Sequence, residues 1–258
     1  MMRRSKTLAR IRAGKPVRMC NLGSFNPRFV RWAAHCGFDC IWLDQEHNVM
    51  EVREWQCMLA HFHLHDIDCM FRAPTAEKTP LYRYLEEGAA GLMIPLVSTE
   101  ERARQLVQSV KFPPIGDRGQ DGAGFDGDFY VPRNKGYVEH ANRETFLVVQ
   151  IETIEAVLNA EKIAAVPGLD GIFVGPGDLG LRLQHTPDCG FDLEGAVKRV
   201  ADACKKHNKA WGMPARDLDH LKQLTAMGAQ LVNHGSEFFG MVQELENKSK
   251  EWAGVLGE

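Results

Sequence analysis

The sequence predicts an α/β fold, a TIM (β/α)8 barrel with extra N-terminal and C-terminal helices, on three observations. Short apolar runs of strand length recur along the chain, and each is followed by a stretch whose apolar residues fall at helical spacing. The runs are continuous rather than alternating, as in parallel strands buried on both faces. The alternation repeats eight times within 258 residues, the usual length of one such barrel. No stretch reads as a linker, so one barrel domain over residues 1–258 is expected.

Leu8 to Ala13 reads as a short amphipathic opening helix, and Val17 to Leu22 as the first strand. Pro27 to Cys36 is helical, and Cys40 to Leu43 is a second buried strand ending in Asp44-Gln45-Glu46-His47. Three ionisable side chains directly after a strand are hard to explain as packing, because burying any of them unpaired is costly. Glu54 to His65 is the next helix, and Ile67 to Phe71 a strand that runs into Arg72-Ala73-Pro74. Leu81 to Glu87 is a helix stopped by Gly88, Gly91 to Pro95 is the fourth strand, and Glu100 to Val110 is amphipathic. A turn-rich segment follows from Pro113 to about Tyr137, and long loops in compact domains usually carry function. Strands five and six are Leu147 to Ile151 and the run from Gly171, joined by a helix over Thr153 to Ile163. Leu193 to His207, Ala210 to Met213, Leu218 to Met227 and Ala229 to Asn233 complete the alternation, and Glu237 to Leu256 carries a further helix.

Composition narrows the class. With 44% hydrophobic and 25% charged residues and a net charge of −3, the chain has globular character and no basic footprint for nucleic acid. Charge recurs through Arg10, Arg12 and Lys15, so no signal peptide is expected, and no segment approaches a membrane span. Cys20, Cys36, Cys40, Cys57, Cys69, Cys189 and Cys204 are an odd count without CxxC spacing, which fits reduced thiols in a cytoplasmic protein.

The strongest chemical signal spans Leu147 to Asp178. Each of its two apolar strands ends at an acid, Glu152 and Asp178, and a βαβ unit sets both carboxyl ends on one face. Two hard oxygen donors there suit Mg²⁺ or Mn²⁺. Helix capping or a dipole interaction accounts for the same acids about as well on motif shape alone. Other motifs are weak. His61, His63 and His65 lack zincin spacing and read as surface histidines; Gly119, Gly122 and Gly124 do not follow a strand; Trp211 and Phe173 read as core. No Ser or Cys sits in a nucleophile elbow, and no lysine closes a strand as a Schiff-base mechanism needs.

Five motifs in order give the chain a resemblance to the HpcH/HpaI aldolase family of metal-dependent (class II) pyruvate aldolases. They are Gly37-Phe38-Asp39 with Leu43-Asp44-Gln45-Glu46-His47, Arg72-Ala73-Pro74, Pro113-Pro114-Ile115-Gly116-Asp117-Arg118-Gly119, Gln150-Ile151-Glu152-Thr153, and Gly171 through Leu179. The resemblance implies a carbon–carbon lyase that cleaves a 4-hydroxy-2-keto acid to pyruvate and an aldehyde through a pyruvate enolate. It implies Glu152 and Asp178 as ligands of Mg²⁺, Mn²⁺ or Co²⁺, Arg72 on the pyruvate carboxylate or enolate, His47 as proton carrier and Gln150 in the pyruvate pocket. It also implies a hexamer that exchanges its C-terminal helix.

Two positions depart from the family pattern. Leu-Asp-x-Gly-Ala becomes Leu85-Glu86-Glu87-Gly88-Ala89, which leaves Glu86 to orient His47, with Asp44 as the alternative. The metal loop carries Gly177 and Gly180, and Gly177 stands where backbone amides would meet the pyruvate carboxylate. Oxaloacetate decarboxylation or acyl-CoA lyase chemistry would use the same enolate site, and a non-catalytic barrel that binds a keto acid is the alternative of another class.

Overall fold

The computed structural model describes residues 2–257. Eight strands form one parallel sheet: β1 (Val17–Leu22), β2 (Cys40–Asp44), β3 (Asp68–Arg72), β4 (Gly91–Ile94), β5 (Phe146–Ile151), β6 (Gly171–Val174), β7 (Ala210–Gly212) and β8 (Leu231–Ser236). Their order, β7-β6-β5-β4-β3-β2-β1-β8, follows the chain around a barrel. The seam is drawn together where Gln230 donates its amide to the Trp211 carbonyl at 2.8 Å and Asn233 bridges Pro214.

The helices are α1 (Lys6–Arg12), α2 (Pro27–His35), α3 (Val52–Leu64), α4 (Lys78–Glu86), α5 (Glu100–Val110), α6 (Tyr137–Glu144), α7 (Ile154–Leu158), α8 (Ala160–Ala164), α9 (Pro176–Gln184), α10 (Leu193–Lys206), α11 (Leu218–Ala226) and α12 (Glu237–Leu256). The helix expected over Thr153 to Ile163 is two, broken at Asn159, whose amide donates to the Ser98 carbonyl at 2.9 Å. The sequence reading missed α6 and α9. Gly175-Pro176-Gly177 read as a turn, yet Pro176 occupies the first turn of α9, where a fixed φ favours the helix.

Alternation along each strand sorts side chains into two apolar layers. Met19, Trp42, Met70, Val148, Phe173 and Leu231 fill the barrel interior, while Leu22, Ile41, Leu43, Phe71 and Ile172 pack outward against the helices. Phe173 and Trp211 are buried, as expected for core aromatics. Two residues further along five of the strands, the interior positions become Asn21, Asp44, Arg72, Gln150 and Asn233. The barrel therefore changes from apolar to polar toward the carboxyl ends of its strands.

The amino end is plugged. Asp68, fully buried at the start of β3, accepts from Ser5 Oγ at 2.7 Å, the Thr7 amide at 2.8 Å and Arg3 Nη2 at 2.5 Å. These bonds pin α1 across the barrel floor, and Leu8 joins the interior cluster.

Candidate active site

Asp44 and Arg72 are register partners at the ends of β2 and β3, which puts their side chains side by side. Arg72 Nε donates to Asp44 Oδ1 at 2.8 Å and Nη2 to Oδ2 at 2.6 Å, a two-pronged grip. Nη1 lies 2.8 Å from Glu46 Oε2, and the guanidinium sits 4.6 Å from the Trp42 ring centroid. Asp44 also accepts from the Glu46 amide at 3.0 Å, the His47 amide at 3.4 Å and Asn48 Nδ2 at 3.0 Å. One carboxylate thus shapes the whole β2–α3 loop and fixes the arginine.

Burial pushes the Asp44 carboxyl up, but the hydrogen bonds and charge of Arg72, with the two loop amides, outweigh it and hold the pKa below the usual value. A carboxyl with a depressed folded-state pKa stabilises the fold above its unfolded pKa, and that contribution disappears as pH falls through the folded value. Asp44→Asn is therefore expected to cost about 3 kcal/mol near neutrality, by leaving Arg72 short of its partner. The difference from wild type should shrink below about pH 4. Denaturant unfolding of both proteins across that range measures it; a difference independent of pH would contradict the assignment.

Glu152 follows β5 directly and is 4% exposed. Its Oε2 accepts from the Leu96 amide at 3.0 Å and its Oε1 from Gln150 Nε2 at 3.1 Å. A Cβ at Gly175 would stand 2.2 Å from Glu152 Oε1, so only glycine lets β6 pass this carboxylate as it does. Burial raises the Glu152 pKa, and the charges of Glu46 and Asp178 raise it further against the Leu96 amide and Arg72. Asp178 lies in the first turn of α9 and takes Arg182 Nη1 at 2.7 Å.

The capping explanation fares differently for the two acids. Thr153 caps α7 through its side chain, which accepts from the Ala156 amide at 3.0 Å, so Glu152 is not needed there. Asp178 is in the position that favours the α9 dipole, although the N-cap itself is Gly175. Space above Gly177 and Gly180 is open, since a Cβ at either would meet nothing within 4 Å.

Of the remaining predicted residues, Gln150 is inside, with Oε1 buried and unpartnered. His47 stands at the rim, its side chain 63% exposed and its Nε2 3.8 Å from Glu46 Oε2. Glu46 is the residue sequence reasoning missed. Its signal was in view, an ionisable side chain in the same loop as Asp44 and His47, but only those two were given roles.

Three expected residues or segments lie apart from the arrangement expected of them within the chain. Glu86 ends α4, near the amino ends of the strands, and its charged neighbours are Arg118, Asp126, Asp121 and Arg83 rather than His47. Burial raises its carboxyl pKa despite Arg118. Asp44 meets His47 only at the backbone amide, and its side chain serves Arg72. The turn-rich segment joins α5 to β5 and so lies on the face opposite the Arg72 cluster. There Arg118 donates to Asp126 at 2.6 Å and rests 4.6 Å from the Phe112 ring, holding the loop itself.

Among the described residues, no group of three or more His, Cys, Asp or Glu side chains is arranged to hold a metal ion. His63 is half-buried: it lies 4.7 Å from the Phe125 ring, and burial, then the Arg3 charge, push its pKa down to about 4. No helix among the described residues is long and apolar enough to cross a membrane.

The HpcH/HpaI aldolase/citrate lyase family pattern matches residues 18–243. A hydroxypyruvate/pyruvate aldolase of Deinococcus radiodurans is 33% identical over 229 residues, covering 86% of this chain and 80% of that protein. A 2-keto-3-deoxy-L-rhamnonate aldolase of Klebsiella pneumoniae is 29% identical over 228 residues, covering 88% and 85%. The crystal structure of an HpcH/HpaI aldolase/citrate lyase family protein from Burkholderia cenocepacia superimposes with a TM-score of 0.86 at 29% identity, over 96% of this chain and 98% of that one. A pattern matched over most of the chain, together with this shared barrel, places the protein in the HpcH/HpaI aldolase/citrate lyase family.

Proposed function

We propose that the chain is a class II pyruvate aldolase, reversibly cleaving a 4-hydroxy-2-keto acid to pyruvate and an aldehyde with the help of a divalent cation. One observation carries this reading: the arginine gripped by Asp44 and the buried carboxylate of Glu152 both stand at strand carboxyl ends, at the polar mouth of the barrel. The relatives named as pyruvate aldolases support it.

The donor set fits a hard dication. Glu46 and Asp178 both act on Glu152 as like charges, a repulsion that a cation between the acids would relieve. Glu152 and Asp178 would hold it, and Mg²⁺, Mn²⁺ and Co²⁺ all suit such ligands. When bound, the ion supplies positive charge beside the substrate's keto oxygen.

The chain's own groups do the rest. Arg72 is fixed before substrate arrives, so its positive charge stabilises the enolate oxygen without reorganising in the transition state. Gln150 would line the pyruvate pocket, its Nε2 holding Glu152 Oε1 in place. His47, exposed at the rim, is free to take the proton from the C4 hydroxyl during cleavage and return it during addition. A screen of 4-hydroxy-2-keto acids with and without EDTA, detecting released pyruvate, tests the proposal. Cleavage that chelator abolishes and added metal restores is the expected result; no pyruvate from any substrate would refute it.

The last helix supports assembly. None of the described residues of α12 is buried, and Phe238, Phe239, Met241, Leu245, Trp252 and Val255 are all exposed. That much apolar surface on one helix needs a partner. An exchange of α12 between subunits, in a hexamer, would cover it. Light scattering should therefore give a mass several times the 29.0 kDa chain, and a monomer at micromolar concentration would count against it.

A further inference from the structure

Between α10, α11 and the end of β7 lies a cavity of about 290 Å³, with no lining residue from the Arg72 cluster. Its inner wall is apolar: Val197, Met213 and Leu224 are buried, and Leu193 and Met227 extend it. That size and lining stand near the lower bound of small-molecule sites. Glu194 of α10 edges the cavity, as do Arg216 and, in the first turn of α11, His220. The Arg216 amide donates to His220 Nδ1 at 3.2 Å, so the ring proton sits on Nε2 and is left to donate. Other charges on these helices are engaged: Lys198 with Asp202, Lys222 with Asp219, and Asp217 as the cap that accepts the His220 amide at 2.7 Å. Glu194 and Arg216 differ. They line one cavity with opposite charge, yet among the described residues neither side chain forms a hydrogen bond or an ion pair.

We propose that this cavity binds a free α-amino acid with an apolar side chain, its carboxylate at Arg216 and His220 Nε2 and its ammonium at Glu194. Such a molecule answers both charges and the apolar wall at once. A monocarboxylate leaves Glu194 without a partner and brings a like charge toward it, and a simple amine does the same to Arg216. A polar side chain gives up its water against Val197, Met213 and Leu224 and gains no hydrogen bond there.

Calorimetric titration of the full chain with L-leucine, 4-methylpentanoate and 3-methylbutylamine tests this, since the three share one apolar tail and carry both charges, the carboxylate alone or the ammonium alone. Leucine should bind about tenfold more tightly than either analogue, the scale of one charged hydrogen bond, and about tenfold more tightly than alanine or serine, which leave the wall unfilled. Glu194→Gln should bring leucine down to the affinity of 4-methylpentanoate, and Arg216→Ala should bring it down to that of 3-methylbutylamine. Both positions are exposed, so the fold should persist, and circular dichroism checks it. No saturable leucine binding, as when another copy of the chain covers the groove, overturns the proposal. Equal affinity for leucine and either analogue overturns it too. Leucine binding that survives both substitutions but disappears in Arg72→Lys belongs to the barrel mouth, which again defeats the proposed site.

Discussion

Glu152→Gln and Asp178→Asn are each expected to bind Mn²⁺ at least about 100-fold more weakly than wild type, since even outer-shell changes at metal sites cost 10- to 100-fold. A neutral amide is a poor ligand for a hard dication, and it also removes the like-charge repulsion that favours cation entry. The two variants should differ in stability. Glu152 is buried and its pKa is already raised by burial, so a neutral side chain there relieves a cost of folding. Asp178 is half exposed and paired with Arg182, so its loss changes stability little. Calorimetric titration with Mn²⁺, beside cleavage rates after dialysis against chelator, reads both effects. Full activity of either variant in the chelated state would remove it from the metal site.

Arg72→Lys is expected to lower kcat for pyruvate-releasing cleavage by about 100- to 1000-fold, the range for losing one preorganised donor at a developing oxyanion. The reason lies in the contacts. Arg72 engages both Asp44 oxygens, reaches Glu46 and stacks on Trp42 at once. An ammonium ion has no planar fork, so it satisfies Asp44 only by giving up the approach to substrate. KM should rise less than kcat falls, because the lost interaction is strongest in the transition state. Unchanged kcat/KM in a folded variant would exclude Arg72 from the chemistry.

The barrel and most of its strands were legible in the sequence because parallel strands buried on both faces leave continuous apolar runs. Glu152 and Arg72 were legible for a related reason: an ionisable residue at the end of such a run has nowhere to go but the strand's carboxyl end. The placement of Glu86 was not legible because the family pattern gives a sequence position and not a direction. A residue ending α4 returns to the amino face, remote from His47 within one chain. The grip of Asp44 on Arg72 was not legible, since the pairing depends on the β2–β3 register that only the folded sheet sets. Nor was α9, because Gly175-Pro176-Gly177 satisfies the rules for a turn and for a helix start equally well.

The plug that α1 makes across the barrel floor bears on how the site is reached. With Asp68 pinning that helix from below and the apolar layer packed above it, the polar layer is approached from the carboxyl ends of the strands. Arg72 and Glu152 lie deep in it and His47 stands at the lip. On the proposed reaction, a keto acid therefore meets Arg72 and Glu152 first from that side, with His47 at the edge of its path. Truncation of the segment before α1 should then disturb the floor of the barrel without opening a second route to Arg72, because the apolar layer remains between them.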